Sequence, residues 1–201
     1  NNWNQQWESN FQPVKVENFA VVRASFHNPI GGVEHDIIIN PKMSFGTGHH
    51  ATTYMMIDQM RGIDFWHKRV LDFGTGTGVL AILSKKMGAT YVAAIDNDSW
   101  SIENATENIQ RNRCKNITPL LGDAALIINK KYDIILANIN RNILLQDIPT
   151  YSNALHASGV LILSGFYKED LPLIIEKCSE NKLTFDSHLQ KGKWIGAKFV
   201  F

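Results

Sequence analysis

Apolar and polar positions fall into a regular alternation after residue 68, where short apolar runs are followed by stretches of helical period. The runs predict strands at 69–73, 91–95, 117–121, 132–137 and 159–163, and the periodic stretches predict helices at 78–87, 98–112, 141–156 and 168–181. Strand and helix repeated in this way give a parallel sheet with helices on both faces, a doubly wound α/β fold. Gly88 is placed to close the first of these helices, and Asp98 can cap the second. Residues 182–201 carry no helical signal and read as two strands joined near Gly192, an antiparallel hairpin at one edge of the sheet.

Upstream the pattern changes. Residues 19–26 and 34–39 read as extended and flank Asn28-Pro29-Ile30-Gly31-Gly32, a turn-rich break that suggests a β-hairpin. Met55, Met56, Gln59 and Met60 then repeat near helical period, which predicts a helix over 52–60 with Gly62 just past its end. The expected organisation is a linker and hairpin extension over residues 1–50, followed by one α/β domain over 51–201.

Length and composition bound what this fold can do. At 201 residues the chain suits one well-buried domain plus an appendage. Lys and Arg total 20 against 19 acidic residues, so the net charge of +1 supplies no field for nucleic acid, and direct nucleic-acid binding is not expected. Cys114 and Cys178 are the two cysteines, without paired or metal-ligand spacing, which fits a reducing compartment and a cytoplasmic location. No uncharged apolar run approaches the ~20 residues of a membrane span, and the first residues lack a signal pattern. The first residue is Asn1 rather than methionine, which suggests a fragment.

In a doubly wound sheet, ligands sit beyond the carboxyl ends of the strands, so the chemistry is sought there. The first strand runs into Leu71-Asp72-Phe73-Gly74-Thr75-Gly76-Thr77-Gly78. A dinucleotide turn would place its third glycine at Val79, three after the second; here glycines alternate behind a carboxylate. Asp72 would repel the phosphates of a dinucleotide and attract a cationic sulfonium, so the pattern favours S-adenosylmethionine over NAD. Gly74, Gly76 and Gly78 let backbone approach the ligand closely. Asp96, 24 residues after Asp72, can accept two hydrogen bonds from ribose hydroxyls, or can cap the next helix, as can Asp98. Asp123 follows the third strand and either takes an adenine amine or belongs to a solvated turn. Asn138 ends the fourth strand, where an amide can hold an incoming amine and aim its lone pair at the sulfonium carbon; the alternative is that Asn138 or Asn140 caps the following helix. The adjacent His49 and His50 invite a metal, but they point differently and no third ligand stands at a telling spacing, so no metal site is assigned.

Phe45-Gly46-Thr47-Gly48-His49-His50-Ala51-Thr52-Thr53, together with the glycine turn, Ala137-Asn138-Ile139 and Leu163-Ser164-Gly165, resembles the PrmA family over about residues 3 to 201. The glycine motif is shared by many methyltransferases, whereas the upstream segment singles out this family. The resemblance implies a class I methyltransferase with a mostly parallel seven-stranded sheet, acting on lysine and N-terminal amines of protein eleven of the large ribosomal subunit. It implies that Thr53, Gly74, Asp96 and Asn138 contact the cofactor and that the loop with Phe45 and Thr47 helps to enclose it. Three positions depart from the family pattern: Ala51 stands for proline, Thr75 for cysteine, and Asn140-Arg141-Asn142 for a Leu-Ala-Gly-like run at the acceptor rim. The family carries a recognition domain ahead of a linker that Trp3-Asn4-Gln5-Gln6-Trp7 resembles, so that domain is expected to be absent from this chain or removed from it. The expected function is protein amine methylation by a monomer, with Asn138 as the catalytic residue. Alternatives are methylation of RNA or a small molecule, or a non-catalytic binding domain of the same fold.

Overall fold

The computed structural model describes residues 11–40 and 50–201. A seven-stranded sheet orders its strands β6-β5-β4-β7-β8-β10-β9. Its first strand in sequence, β4 (Arg69–Phe73), lies at the centre, with β5 (Tyr91–Asp96) and β6 (Ile117–Leu121) on one side. On the other side lie β7 (Tyr132–Asn138) and β8 (Leu155–Tyr167), and all these pairings are parallel. β9 (Thr184–Lys191) and β10 (Trp194–Val200) form the antiparallel edge hairpin expected from the sequence, with β10 also antiparallel to β8.

Successive side chains of a strand face opposite sides, and here they divide the interior into two cores. Val70, Val92, Ala94, Ile134, Leu136 and Ile162 join one core, which also takes Met56, Ile57 and Met60 of α1 (His50–Arg61) and the apolar face of α2 (Val79–Lys86). Leu71, Phe73, Ala93, Ile95, Ile135 and Leu163 join the other, built with α4 (Arg141–Asn153) and α5 (Leu171–Glu180). The central strands are buried on both faces, which is why they read as continuous apolar runs rather than as an alternation. Between the two neighbours of β4 the connections change direction: the chain leaves β4 towards β5 on one side and returns to it as β7 on the other.

The N-terminal extension differs in detail from expectation. A separate sheet, β1-β2-β3, holds β1 (Val14–Val16), β2 (Ala20–Ala24) and β3 (His35–Ile39). The hairpin in it is β1 with β2, whereas the two segments read as hairpin arms, β2 and β3, run parallel. The turn-rich break is too long for a two-residue hairpin turn, and residues 25–34 carry the chain back to the start of β2 instead. Arg23, buried in β2, fixes this arrangement by donating twice to the Asp36 carboxylate at 2.8 Å from both Nε and Nη2. The sheet then joins the first core through Val16, Ile37 and Ile39.

A row of asparagines on α3 (Ser99–Arg111) and its C-cap ties the extension to the main sheet. Asn112 pairs with both backbone groups of Ile38, accepting at 3.0 Å and donating at 2.7 Å. Asn108 accepts from the Asn40 amide at 2.8 Å and donates to the Thr77 carbonyl at 2.9 Å, so one buried side chain holds both the end of the extension and the glycine turn. Buried amides satisfied in this way on both sides specify position at little energetic loss.

Other boundary shifts have local causes. The helix expected to 156 stops at Asn153, because Ala154 accepts from the Tyr132 amide and Leu155 already pairs with β7. The helix expected from 168 begins at Leu171, behind a 3-10 turn over Lys168–Asp170.

Candidate active site

The carboxyl ends of β4, β5, β6, β7 and β8 open into one cavity of about 700 Å³ at the switch point between β5 and β7. That is the size of a site for a nucleoside-bearing ligand, and the crevice is where a doubly wound sheet places one. The turn after β4 is built on its neighbour: the amides of Gly74 and Thr75 donate to the Ile95 carbonyl at 2.8 and 2.9 Å. The Gly76 amide donates to Asp96 Oδ2 at 2.9 Å.

Sequence-derived candidates separate on inspection of the wall. Thr53, Gly74, Gly76, Asp96, Asp123 and Asn138 line the cavity together. Asp72 and Gly78 are not among the described lining residues. Asp72 is buried behind the turn, accepting from Thr75 Oγ1 at 2.7 Å and from the Ala81 amide at 3.2 Å. It clamps the turn to the first residues of α2, and loss of solvent pushes its carboxyl up to about 7, against the hydrogen bonds that favour the ionised form. The attraction to a sulfonium read from its position therefore does not act through contact with the cavity. Gly78 caps α2 at φ +85°, and a Cβ there would stand 3.3 Å from Ala105 of α3. Its role is close helix approach rather than ligand contact. Phe45 and Thr47 lie outside the described residues.

Asp96 lines the cavity, and Asp98, not Asp96, is the helix cap, accepting from the Ser101 amide at 3.0 Å. Asp96 holds two backbone amides, those of Gly76 and Asp98, which fixes the direction in which its remaining lone pairs point. Asp123 Oδ1 caps a short 3-10 turn through the Ala125 amide at 2.9 Å, and the residue also lines the cavity. Asn140 is the cap of α4, accepting from the Ile143 amide at 3.1 Å, and it lines the cavity along with Asn138. The Asn138 amide donates to Thr52 Oγ1 at 3.4 Å, a contact between the end of β7 and the start of α1.

Several wall residues had not been singled out from the sequence, among them Thr52, Phe73, Ile95, Asp147 and Trp194. Phe73 and Ile95 end their strands, so strand-end position alone could have found them. Asp147 had a sharper signal: it is a carboxylate within the helical stripe Leu144, Ile148 and Tyr151. Burial, and then the charge of Asp123, push its carboxyl upward.

No Lys or Arg stands among the described residues on the wall, while Asp96, Asp123 and Asp147 do. That acceptor set suits hydroxyls and an amine better than a pyrophosphate. The fold and this cavity define a class I S-adenosylmethionine-dependent methyltransferase.

Comparison with known proteins narrows the class. The family described as "Ribosomal protein L11 methyltransferase (PrmA)" matches residues 1–200. A relative named ribosomal protein L11 methyltransferase from Phocaeicola vulgatus is 44% identical over 201 residues, covering 99% of this chain and 72% of its own. One from Porphyromonas gingivalis is also 44% identical, with 99% and 69% covered. A crystal structure of ribosomal protein L11 methylase from Lactobacillus delbrueckii subsp. bulgaricus superposes with a TM-score of 0.86 at 29% identity, covering 94% of this chain and 98% of that one. The chain belongs to the PrmA family.

Proposed function

We propose that the cavity holds S-adenosylmethionine and that the chain directs its methyl group to lysine and N-terminal amines of ribosomal protein L11 in the cytoplasm. The observation that carries this reading is the convergence of Asp96, Asp123, Asn138 and Thr53 on one cavity at the switch point, with no basic side chain among its described lining residues. Bound there, the cofactor supplies a methyl carbon already activated by a sulfonium leaving group.

What remains for the protein is to bind, orient and keep out water. Asp96 takes the ribose hydroxyls, being held by the Gly76 and Asp98 amides, and Asp123 faces the base. Asn138 holds the acceptor nitrogen near the methyl group, steadied by Thr52. The acceptor must arrive as a neutral amine, since its lone pair forms the new bond to carbon, and the proton then released leaves to solvent. Selection of L11 by this chain rests on the names of its relatives. Incubation with labelled S-adenosylmethionine and a ribosomal extract tests the whole reading. Label is expected on L11; label on RNA, or on nothing while calorimetry shows tight NAD binding, would overturn it.

A further inference from the structure

Asp147 is a largely buried acidic residue on the cavity wall. It sits in the second turn of α4 on the face formed by Leu144, Ile148 and Tyr151, whose side chains enter the second core. It is 7% exposed and lines the cavity, yet the structure gives it no hydrogen bond or ion pair among the described residues. Tyr151, four residues on, is close enough to feel its charge, but that hydroxyl is itself without a partner. The Asp147 carboxyl oxygens are not sealed inside the fold as the Tyr151 hydroxyl is; they open on the cavity. Its carboxyl is raised by burial and by Asp123. What it lacks is a donor, and the side on which one can arrive is the cavity.

The charged neighbour identifies which part of a ligand that donor belongs to. Asp123 lies on the wall with Gly122 at the end of β6, beyond the ribose-facing Asp96 at the end of β5. One Asp123 oxygen is committed to its own turn, through the Ala125 amide. An exocyclic amine offers two N–H groups about 120° apart, enough for two neighbouring acceptors. A carbonyl at the same ring position would instead set its lone pairs against two carboxylates.

We infer that Asp147 is a second acceptor for the 6-amino group of the cofactor's purine, so that β6 and α4 together select adenine over a 6-oxo purine. This rests on the S-adenosylmethionine reading above and assigns the base specificity of that site to a helix residue.

Titration calorimetry with S-adenosylhomocysteine and S-inosylhomocysteine, on the wild-type chain and on Asp147→Asn and Asp147→Ala, decides it. Wild type should bind the adenosyl compound at least tenfold more tightly. Asparagine accepts from an amine or donates to a carbonyl, so Asp147→Asn should narrow that ratio at least fivefold, chiefly by improving inosyl binding. Asp147→Ala should narrow it by weakening adenosyl binding. A ratio unchanged in both variants, or both affinities falling in parallel, overturns the inference while leaving the cofactor reading intact. Failure of both variants to fold also overturns it, since a side chain without a protein partner has nothing to hold. Wild type binding neither compound would instead bring down the cofactor reading itself.

Discussion

Gly165 gives the sharpest test of how the site is held. It lies on β8 with φ +98° and lines the cavity beside the chain that leaves β7. A Cβ added there would stand 2.7 Å from the Ile139 carbonyl carbon and 3.0 Å from its nitrogen, with the carbonyl oxygen closer still. These are backbone atoms, so no side chain can swing away. Nor is the Ile139 backbone free to retreat, because its amide donates to the Ser164 carbonyl at 3.1 Å. Positive φ costs an L-residue about 1–2 kcal/mol, and forced overpacking about 1–3 more, so Gly165→Ala should destabilise the fold by roughly 2–5 kcal/mol. For a chain of this size that corresponds to a melting point lower by roughly 4–20 °C. Relief of the clash requires the Ile139 peptide to move by about 1 Å, since carbon atoms rest at about 3.5–4.0 Å, and Asn138 moves with it. A displacement of that order at a reacting centre costs about a hundredfold in rate. Thermal melts together with single-turnover methyl transfer at saturating cofactor measure both effects. A variant melting within 2 °C of wild type, with turnover within threefold, would refute the placement of Gly165 as the seat of Asn138 (thresholds on the order of ordinary surface substitutions).

Three other outcomes follow from the site. Asn138→Ala should lower turnover about tenfold or more while changing S-adenosylhomocysteine affinity by less than about threefold, because orientation acts on the transition state; equal losses in both would make Asn138 a binding residue only. Asp96→Ala should weaken S-adenosylhomocysteine by about 1.5–3 kcal/mol, and the 2′-deoxy analogue by less, since it removes hydrogen bonds from hydroxyls to a charged group; calorimetry showing equal losses for both ligands would reduce Asp96 to a clamp on the glycine turn. Asp72, raised from 3.8 to about 7, is favoured by the fold in its protonated form, so its contribution to stability is complete below about pH 4 and is lost as pH rises towards 7. The difference reaches roughly 4 kcal/mol at most, at about 1.4 kcal/mol per unit. Asp72→Asn removes the titration, and denaturant melts should show its stability relative to wild type rising between pH 4 and 7; parallel pH profiles would refute the burial argument.

What could be read without coordinates follows from which interactions are local. Strand and helix positions after residue 68 were legible because strands buried on both faces leave unbroken apolar runs and the helices between them leave a 3.6 period. The edge hairpin after residue 182 was legible for a similar reason, as alternation around Gly192 is a local signal. The direction of β2 against β3 was not. Parallel and antiparallel neighbours present the same apolar pattern, and the deciding pair, Arg23 with Asp36, is visible as a pair only once the strands are in register. The asparagine row of α3 was missed for the same reason, since its partners across the fold lie 31 to 74 residues away along the chain.

At the site the division is chemical as well as spatial. Strand ends converge at a switch point by topology, so Asp96, Asp123 and Asn138 could be placed on one cavity from their positions alone. The acidic residue and the glycines of the turn could not be assigned this way, because one motif serves two masters. Gly74 and Gly76 line the cavity, while Gly78 admits α3 and Asp72 fastens the turn to α2 from behind. A carboxylate that shapes a loop and one that meets a ligand look alike in sequence; burial and hydrogen-bond partners tell them apart. Asp72 has its partners within the fold, whereas Asp147 has no hydrogen bond or ion pair among the described residues and stands on the cavity wall, so burial alone does not sort the two.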